Sequence, residues 1–536
     1  MLKDGLLGFK RVFFDRIFER SYWTWRKHPI IIVPSMLGTA ISVIEQSIIT
    51  LGIMVLLTNL AMRGLLSGFI SQLTQSGLGL GLFQNSAYAS LIIPIVAFSV
   101  IGYFLVAILA GGFVYASEYG VYLEAWNKDR VPIRSIVENG ARRWRPMAWT
   151  LFLSNLITWG PLALAFLLFL FGSLNAATLA GFVAIAASSY IIYLGLGASL
   201  FLSIFTVYSY PAVVVDNVSG FRAIGKSFGV AGRNLGATLS YSLVRILFQL
   251  LLTLVVFLAG DVGLPLSSLS AALLSLLLTP ILHSTKTMLY YYAKPDVPEM
   301  PFELSNPIWY DIRKRLPRAA WLKIRAGLSE AARFAASPRN LPFHLLSLLA
   351  FGIGILLGDY VSVNGVKSYL VSNGYIPGRG NPLLNQVFGP SLGADIFLNN
   401  WLVSIATGLA GLGFGWPSFL TIMFNGFILG VLVPLSTLTM LFAAILPHGI
   451  IEIPSFILAG SMGIKLGYAA LRRLFSGPTG EGNLVVEASS NSGDYLSRTL
   501  RQTVYVVVGL APLFLIAGLI EADITPIIMR MFGWTF

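Results

Sequence analysis

The sequence predicts an all-α, polytopic helical membrane protein, with about eleven transmembrane helices and further amphipathic helices at the cytoplasmic interface. Three observations carry this expectation. Of 536 residues, 56% are hydrophobic and only 11% are charged, where a soluble domain carries about 25% charged residues. No folded interior hides that much apolar surface from water, whereas a bilayer does. The apolar residues form long continuous runs rather than period-two alternation, which excludes a β-barrel. The basic residues, finally, cluster in every second connection. Soluble enzymes, disordered chains and nucleic-acid binders are excluded at this level. The net charge of +13 reports membrane orientation before it reports a polyanionic partner, so no nucleic acid is expected.

A crossing helix needs roughly 20 mostly apolar residues. Segments 30–62, 87–123, 147–172, 176–209, 235–259, 267–292, 342–359, 396–414, 417–443, 447–471 and 503–527 meet this length. Several exceed it and must tilt, bend or project beyond the membrane. With the N-terminus cytoplasmic, the inner segments 1–29, 124–146, 210–234, 293–341 and 472–502 hold most of the 36 Lys and Arg residues. The outer side holds Arg63, Lys367, Arg379 and Arg530; Arg245 and Lys465 fall within spans. The bias persists to the last loop, as a correct span count requires. The plasma membrane is therefore expected, with the N-terminus in and the C-terminus out. The first apolar run is too long for a cleavable signal peptide.

In the first half, each cytoplasmic connection reads as an interfacial helix feeding a hairpin of spans. The first places Leu6, Phe9, Phe13 and Ile17 at three- and four-residue steps, with Lys10 and Arg20 left to snorkel. The second, 132–146, offers Ile133, Ile136, Val137 and Trp144; the third, 219–234, offers Phe221, Ile224 and Phe228. Segment 208–234 resembles a broad group of six-span prokaryotic membrane domains, a resemblance that implies no activity. Residues 296–341 are rich in proline and charge, which marks a boundary, and they present the basic amphipathic pattern a fourth time. The expected organisation is a six-span domain over 1–295, a basic linker and amphipathic helix over 296–341, and a five-span domain over 342–536. Membrane lipids are the expected contacts of the basic helices, with a soluble partner as the alternative.

The second half carries the informative motifs. Asn399 and Asn400 open one span, along which lie Gly408 and Gly411. Asn425, Gly426 and Gly430 follow in the next, and then Leu446-Pro447-His448-Gly449-Ile450 with Glu452 and Pro454. Gly460, Gly463 and Gly467 continue that span, and Glu521, Thr525 and Pro526 stand near the C-terminus. This pattern resembles the stage II sporulation protein M family over about 340–530. The resemblance implies a polytopic anchor, which in the family's namesake joins two peptidoglycan-cutting proteins without itself cutting. It covers none of the six-span N-terminal half.

Physically, the small-xxx-small spacing of Gly408, Gly411, Gly426, Gly430, Gly460, Gly463 and Gly467 predicts close helix packing, within the bundle or across a homodimer. His448 and Glu452 share a helical face, just after Pro447, a favoured first-turn residue. That pair can clamp a helix start, hold a proton or bind an ion, although two ligands make a poor metal site. On the expected topology the box sits at the outer membrane boundary. Asn399, Asn400 and Asn425 need partners across helices in lipid. Glu45, near the middle of the first span, needs a partner or water, whereas Glu118, Glu124 and His283 lie nearer the cytoplasmic ends. Zero cysteines exclude disulfides, thiolate metal sites and cysteine nucleophiles, and no nucleotide motif is present. The expected function is a non-enzymatic membrane scaffold without cofactor, recruiting envelope or lipid partners. A permease or channel through Glu45, Asn425 and His448/Glu452 is the first alternative, and an intramembrane metal-assisted hydrolase the second.

Overall fold

The computed structural model describes residues 17–76, 86–174, 178–261, 266–294, 310–374, 390–475 and 483–532. Every regular element among them is helical. In chain order these are α1 (Glu19–Lys27), α2 (Ile32–Met62), α3 (Leu66–Ser76), α4 (Ser86–Asn127), α5 (Arg134–Leu174), α6 (Leu179–Thr206), α7 (Ser209–Val215), α8 (Phe221–Arg233), α9 (Leu235–Asp261) and α10 (Leu266–Tyr292). There follow α11 (Leu316–Ala336), α12 (Leu341–Val361), α13 (Lys367–Ser372), α14 (Pro390–Leu409), α15 (Trp416–Leu432), α16 (Leu438–Phe475), α17 (Asn483–Gly509), α18 (Ala511–Leu519) and α19 (Thr525–Met531). Leu6, Phe9, Phe13, Lys10 and Arg379 lie outside the described residues.

Among the described residues, eight stretches are long and apolar enough to cross a membrane: Pro29–Met62, Ser86–Asn127, Arg134–Phe169, Tyr190–Val215, Pro338–Ser372, Trp416–Leu435, Leu438–Phe475 and Tyr495–Met531. Leu235–Leu251 and Ile396–Leu412 are shorter apolar helices, and α10 occupies the place of the remaining expected span. The chain is thus an all-α polytopic membrane protein. At 42 residues, α4 runs about 63 Å, about twice the hydrocarbon thickness.

The chain forms two compact units. The first comprises Met1–Ser35, Ile108–Thr253 and Leu274–Ser305; the second comprises Met36–Ala107, Leu254–Leu273 and Asn306–Phe536. The units interleave along the chain, because α2, α4, α9 and α10 each contribute residues to both.

In the first unit, glycines bring α4 and α5 together: a Cβ on Gly112 would lie 2.8 Å from the Trp144 carbonyl oxygen. Glu124 closes the turn between these helices, accepting from Ser135 Oγ and Asn139 Nδ2 at 2.7 Å each. The expected interfacial helix 132–146 and the span after it are one helix. Pro146 removes a single backbone hydrogen bond, and no turn residue follows it. Helix α8 is separate, as expected, but its buried face is Ala223, Ile224, Ser227, Val230 and Ala231, while Phe221 points outward. The reason is Ser227, which caps the end of α6: its hydroxyl donates to the Phe205 carbonyl at 2.6 Å and accepts the Tyr208 N–H at 3.0 Å. Arg20 does not snorkel. It is buried, and its Nη1 donates to the Tyr292 hydroxyl at 2.6 Å.

The turn before α8 requires left-handed backbone at Asn217 and Gly220. At Gly220 a Cβ would fall 2.7 Å from Trp149 Nε1, so glycine is needed there on both counts. This turn presents Asp216, whose side chain is 8% exposed, to Lys226 Nζ at 2.6 Å, the Tyr290 hydroxyl at 2.8 Å and Lys294. Burial opposes ionisation of Asp216, but the hydrogen bonds from Lys226, Lys294 and Tyr290 outweigh it and hold the carboxyl below its usual range. A depressed carboxylate contributes stability above its unfolded pKa of about 3.9, lost as pH falls through the folded value. Asp216→Asn should therefore lower stability at pH 7 by about 1–2 kcal/mol, discounted for the half-exposed lysines. The difference from the parent should begin to shrink as pH falls below about 4 and vanish only below the depressed folded value, as thermal unfolding across pH will check; a gap that did not shrink would contradict the assignment.

The second unit is held by glycine. Helices α12 and α15 cross reciprocally: a Cβ on Gly354 or Gly358 would overlap the Met423 or Phe427 carbonyl, and one on Gly426 or Gly430 the Phe351 or Ile355 carbonyl. Helices α14 and α16 meet through Gly411 and Gly463, while Gly408 faces Val507, Gly460 faces Ile422 and Ser347, and Gly467 faces Gly415. All seven glycines expected at packing seams therefore pack within their own chain. Backbones approach closely because no Cβ intervenes, which is how helices associate without a hydrophobic drive in lipid. The α14–α15 turn uses left-handed Phe414 and Gly415, at φ 62° and 84°.

Helix α11, expected as part of a linker, is packed into this unit along one narrow seam. Gly327 meets Gly509 of α17 backbone to backbone, Ala331 and Phe334 are buried beside it, and Lys323 Nζ donates to the Tyr505 hydroxyl at 2.9 Å. Lys465, half-buried within its span, donates to Asn340 Oδ1 at 3.0 Å and Gln502 Oε1 at 2.8 Å. Gln502 passes the connection to Glu330 of α11 at 2.7 Å.

Candidate functional site

Helix α16 starts earlier than the sequence suggests. Its exposed apolar residues Leu438, Phe442, Leu446 and Ile450 recur every fourth position and form a lipid-facing stripe from the first turn. Pro447 and Pro454 are consequently inside the helix, and His448 is not at a helix start. It lies about 15 Å along the axis from Leu438, inside a helix that runs on to Phe475. The early start follows from Ser436 and Thr437, which make the turn after α15; the Met440 N–H is capped by Thr437 Oγ1 at 3.3 Å.

The opposing wall comes from the C-terminal helices. Between α18 and α19 the chain makes a π-turn over Ile520–Ile524. Pro526 explains it: proline has no N–H for the Ala522 carbonyl and its ring crowds that oxygen, so the helix widens. The Thr525 hydroxyl donates to the Ile520 carbonyl at 3.1 Å, completing the wide turn. Glu521 thereby faces α16.

Four elements converge. His448 Nδ1 is 3.3 Å from Thr525 Oγ1, and His448 Nε2 is 4.0 Å from Glu521 Oε2. Asn400 of α14 donates its Nδ2 to Glu452 Oε1 at 2.9 Å, and Asn399 in turn donates to Asn400 Oδ1 at 3.2 Å. Glu452 Oε2 is buried without a hydrogen-bond partner. One ligand-type atom each of His448, Glu452 and Glu521 lie within 4.8 Å of one another. The structure thus joins His448, Glu452, Glu521 and Asn400. The His448 ring meets Thr525, and Glu452 is held by Asn400.

Two expected residues lie apart from this group. Asn425 donates to the Thr421 carbonyl of its own helix at 2.8 Å. Glu45 faces the Tyr103 hydroxyl of α4.

In the first unit, sequence reasoning undervalued Glu118 and His283, whose positions suggested water access. Glu118 is 2% exposed. It accepts from the Tyr122 hydroxyl at 2.7 Å and Ser35 Oγ at 3.4 Å, and pairs with His283 Nδ1 at 3.0 Å. Lys286, also buried, lies over the Tyr119 and Tyr210 rings at 5.1 and 5.5 Å. The available signal was the run of tyrosines at helical spacing, 115, 119 and 122, which wraps polar groups in aromatic surface.

Comparison with known proteins bears on the second unit. Residues 347–526 match the family model described as stage II sporulation protein M, and the whole His448 cluster falls in that range. The chain is also 30% identical over 188 residues to "Uncharacterized protein MJ0793" of Methanocaldococcus jannaschii, covering 34% of this chain and 93% of that protein. No solved structure matches.

Proposed function

This chain belongs to the stage II sporulation protein M family, and from that premise we propose that it is a non-enzymatic membrane scaffold recruiting envelope or lipid partners. One observation carries the reading. Helix α11 is fixed to the bundle by the Gly327 seam and leaves the rest of its surface free. Trp321 is 62% exposed, Leu322 is exposed beside it, and Arg315, Arg318 and Arg325 project around them. A basic helix with an outward tryptophan, anchored rigidly, suits anionic headgroups or an acidic protein surface. The proposal places it in the plasma membrane with the N-terminus cytoplasmic. A second copy would dock on lipid-facing side chains, because the glycine seams are already occupied.

The permease reading is supported by the Glu452 oxygen that is buried without a partner among the described residues. Against it stand the separate pairings of Glu45 and Asn425, which do not join a common polar route.

The test is a triple variant, Arg315→Gln with Arg318→Gln and Arg325→Gln, purified from native membranes beside the parent. Mass spectrometry should show anionic lipids or a partner protein retained by the parent and lost from the variant, at an unchanged unfolding temperature. Identical retention by both would overturn the proposal. So would solute or ion flux in proteoliposomes that Glu452→Gln abolishes.

A further inference from the structure

The Thr525 hydroxyl has one hydrogen, and it goes to the Ile520 carbonyl. Toward His448 Nδ1, 3.3 Å away, Thr525 therefore accepts, which places the imidazole proton on Nδ1. Nε2 then carries a lone pair, and that lone pair faces Glu521 Oε2 at 4.0 Å. Two acceptors confront one another across a gap too long for a hydrogen bond. Glu452 belongs to the same group, since one carboxylate oxygen of each glutamate and one His448 nitrogen lie within 4.8 Å of one another, and its buried Oε2 has no hydrogen-bond partner among the described residues. Repulsion and desolvation would drive such a group apart in lipid unless a positive charge sits among them.

We propose that His448, Glu452 and Glu521 bind one divalent transition-metal ion inside the second unit, clasping α16 to the turn between α18 and α19. Two carboxylates and a neutral imidazole balance a 2+ ion, leaving no net charge in the apolar region. One nitrogen with two oxygens selects the Zn2+, Mn2+ and Co2+ class over Ca2+ or Mg2+, which prefer all-oxygen shells. The supporting shell is present: Thr525 fixes the imidazole tautomer, and Asn400 holds Glu452 from the far oxygen, as outer-shell partners do in metal sites. The donor atoms, up to 4.8 Å apart, draw together on an ion to reach bonds of about 2.0–2.2 Å, a closure that side-chain rotation supplies. The site is independent of the scaffold reading, because a clasp serves any function that requires the bundle to stay closed.

The experiment uses the full chain in detergent, without a histidine tag, stripped with chelator and titrated with Co2+ and Zn2+. We expect one equivalent of Co2+ with visible absorption of a four- or five-coordinate site, displaced by Zn2+, and a metal-dependent rise in unfolding temperature. Glu521→Gln, isosteric and free of cavity effects, should abolish both signals while the apo unfolding temperature holds or rises. Thr525→Val should weaken affinity by about 10–100-fold without changing stoichiometry. The proposal fails if the parent takes up no ion and gives no metal-dependent shift, the result expected when protons alone neutralise the carboxylates. It fails equally if Glu521→Gln binds Co2+ as the parent does.

Discussion

Replacing Gly354 or Gly426 with leucine is expected to unfold the second unit, with a loss above about 3 kcal/mol for either variant. A first side-chain atom at Gly354 would overlap the Met423 carbonyl, and one at Gly426 the Phe351 carbonyl. Neither obstacle is a rotatable side chain. Each oxygen belongs to a helix backbone, so the two helices must separate along their whole seam and surrender the contacts at Gly358 and Gly430 as well. In lipid that seam is held by packing alone. The expected result is aggregated protein in size-exclusion chromatography, or an unfolding temperature far below the parent. Gly352 provides the control, since no atom lies within 4 Å of its would-be Cβ. Gly352→Ala should gain up to about 1 kcal/mol from helix propensity. If Gly354→Leu matched the parent, the reciprocal crossing of α12 and α15 would be wrong.

Glu118→Gln should cost about 3 kcal/mol in the first unit, the scale for removing one partner of a buried ionic group. The substitution keeps shape and most hydrogen-bonding capacity, so cavity effects are small. What it removes is the negative charge that pairs with His283 Nδ1 at 3.0 Å and acts electrostatically on Lys286, which is 6% exposed. A double variant that also carries Lys286→Met should recover more than about 1 kcal/mol of the loss. Additive losses in the double variant would show that the two groups do not share a charge balance. Chemical unfolding of the four proteins in one detergent completes the cycle.

These two clusters show where sequence reasoning reaches and where it stops. Long apolar runs are local and obvious, so helices stand at every expected span. The turn at Ser436 and Thr437 was missed because two polar residues among apolar ones make a weaker signal than the Pro447 box, which looked like a helix start. Glu521 was visible as a family-like residue, but nothing in its chain position says that a π-turn aims it at a histidine 73 residues earlier.

Composition and order of residues by themselves determined that this chain lives among lipid, that it is helical, and that its last third follows the sporulation-type pattern. Hydrocarbon imposes those outcomes residue by residue, since each unpaired backbone group must be answered within its own helix. Only the tertiary structure decided which glycines face which carbonyls, that α11 belongs to the bundle, and that His448 lies between Thr525 and Glu521. Those facts depend on distances between segments far apart in the chain. In lipid they are settled by how closely backbones can approach and by which polar group meets which, information that no single stretch of sequence contains.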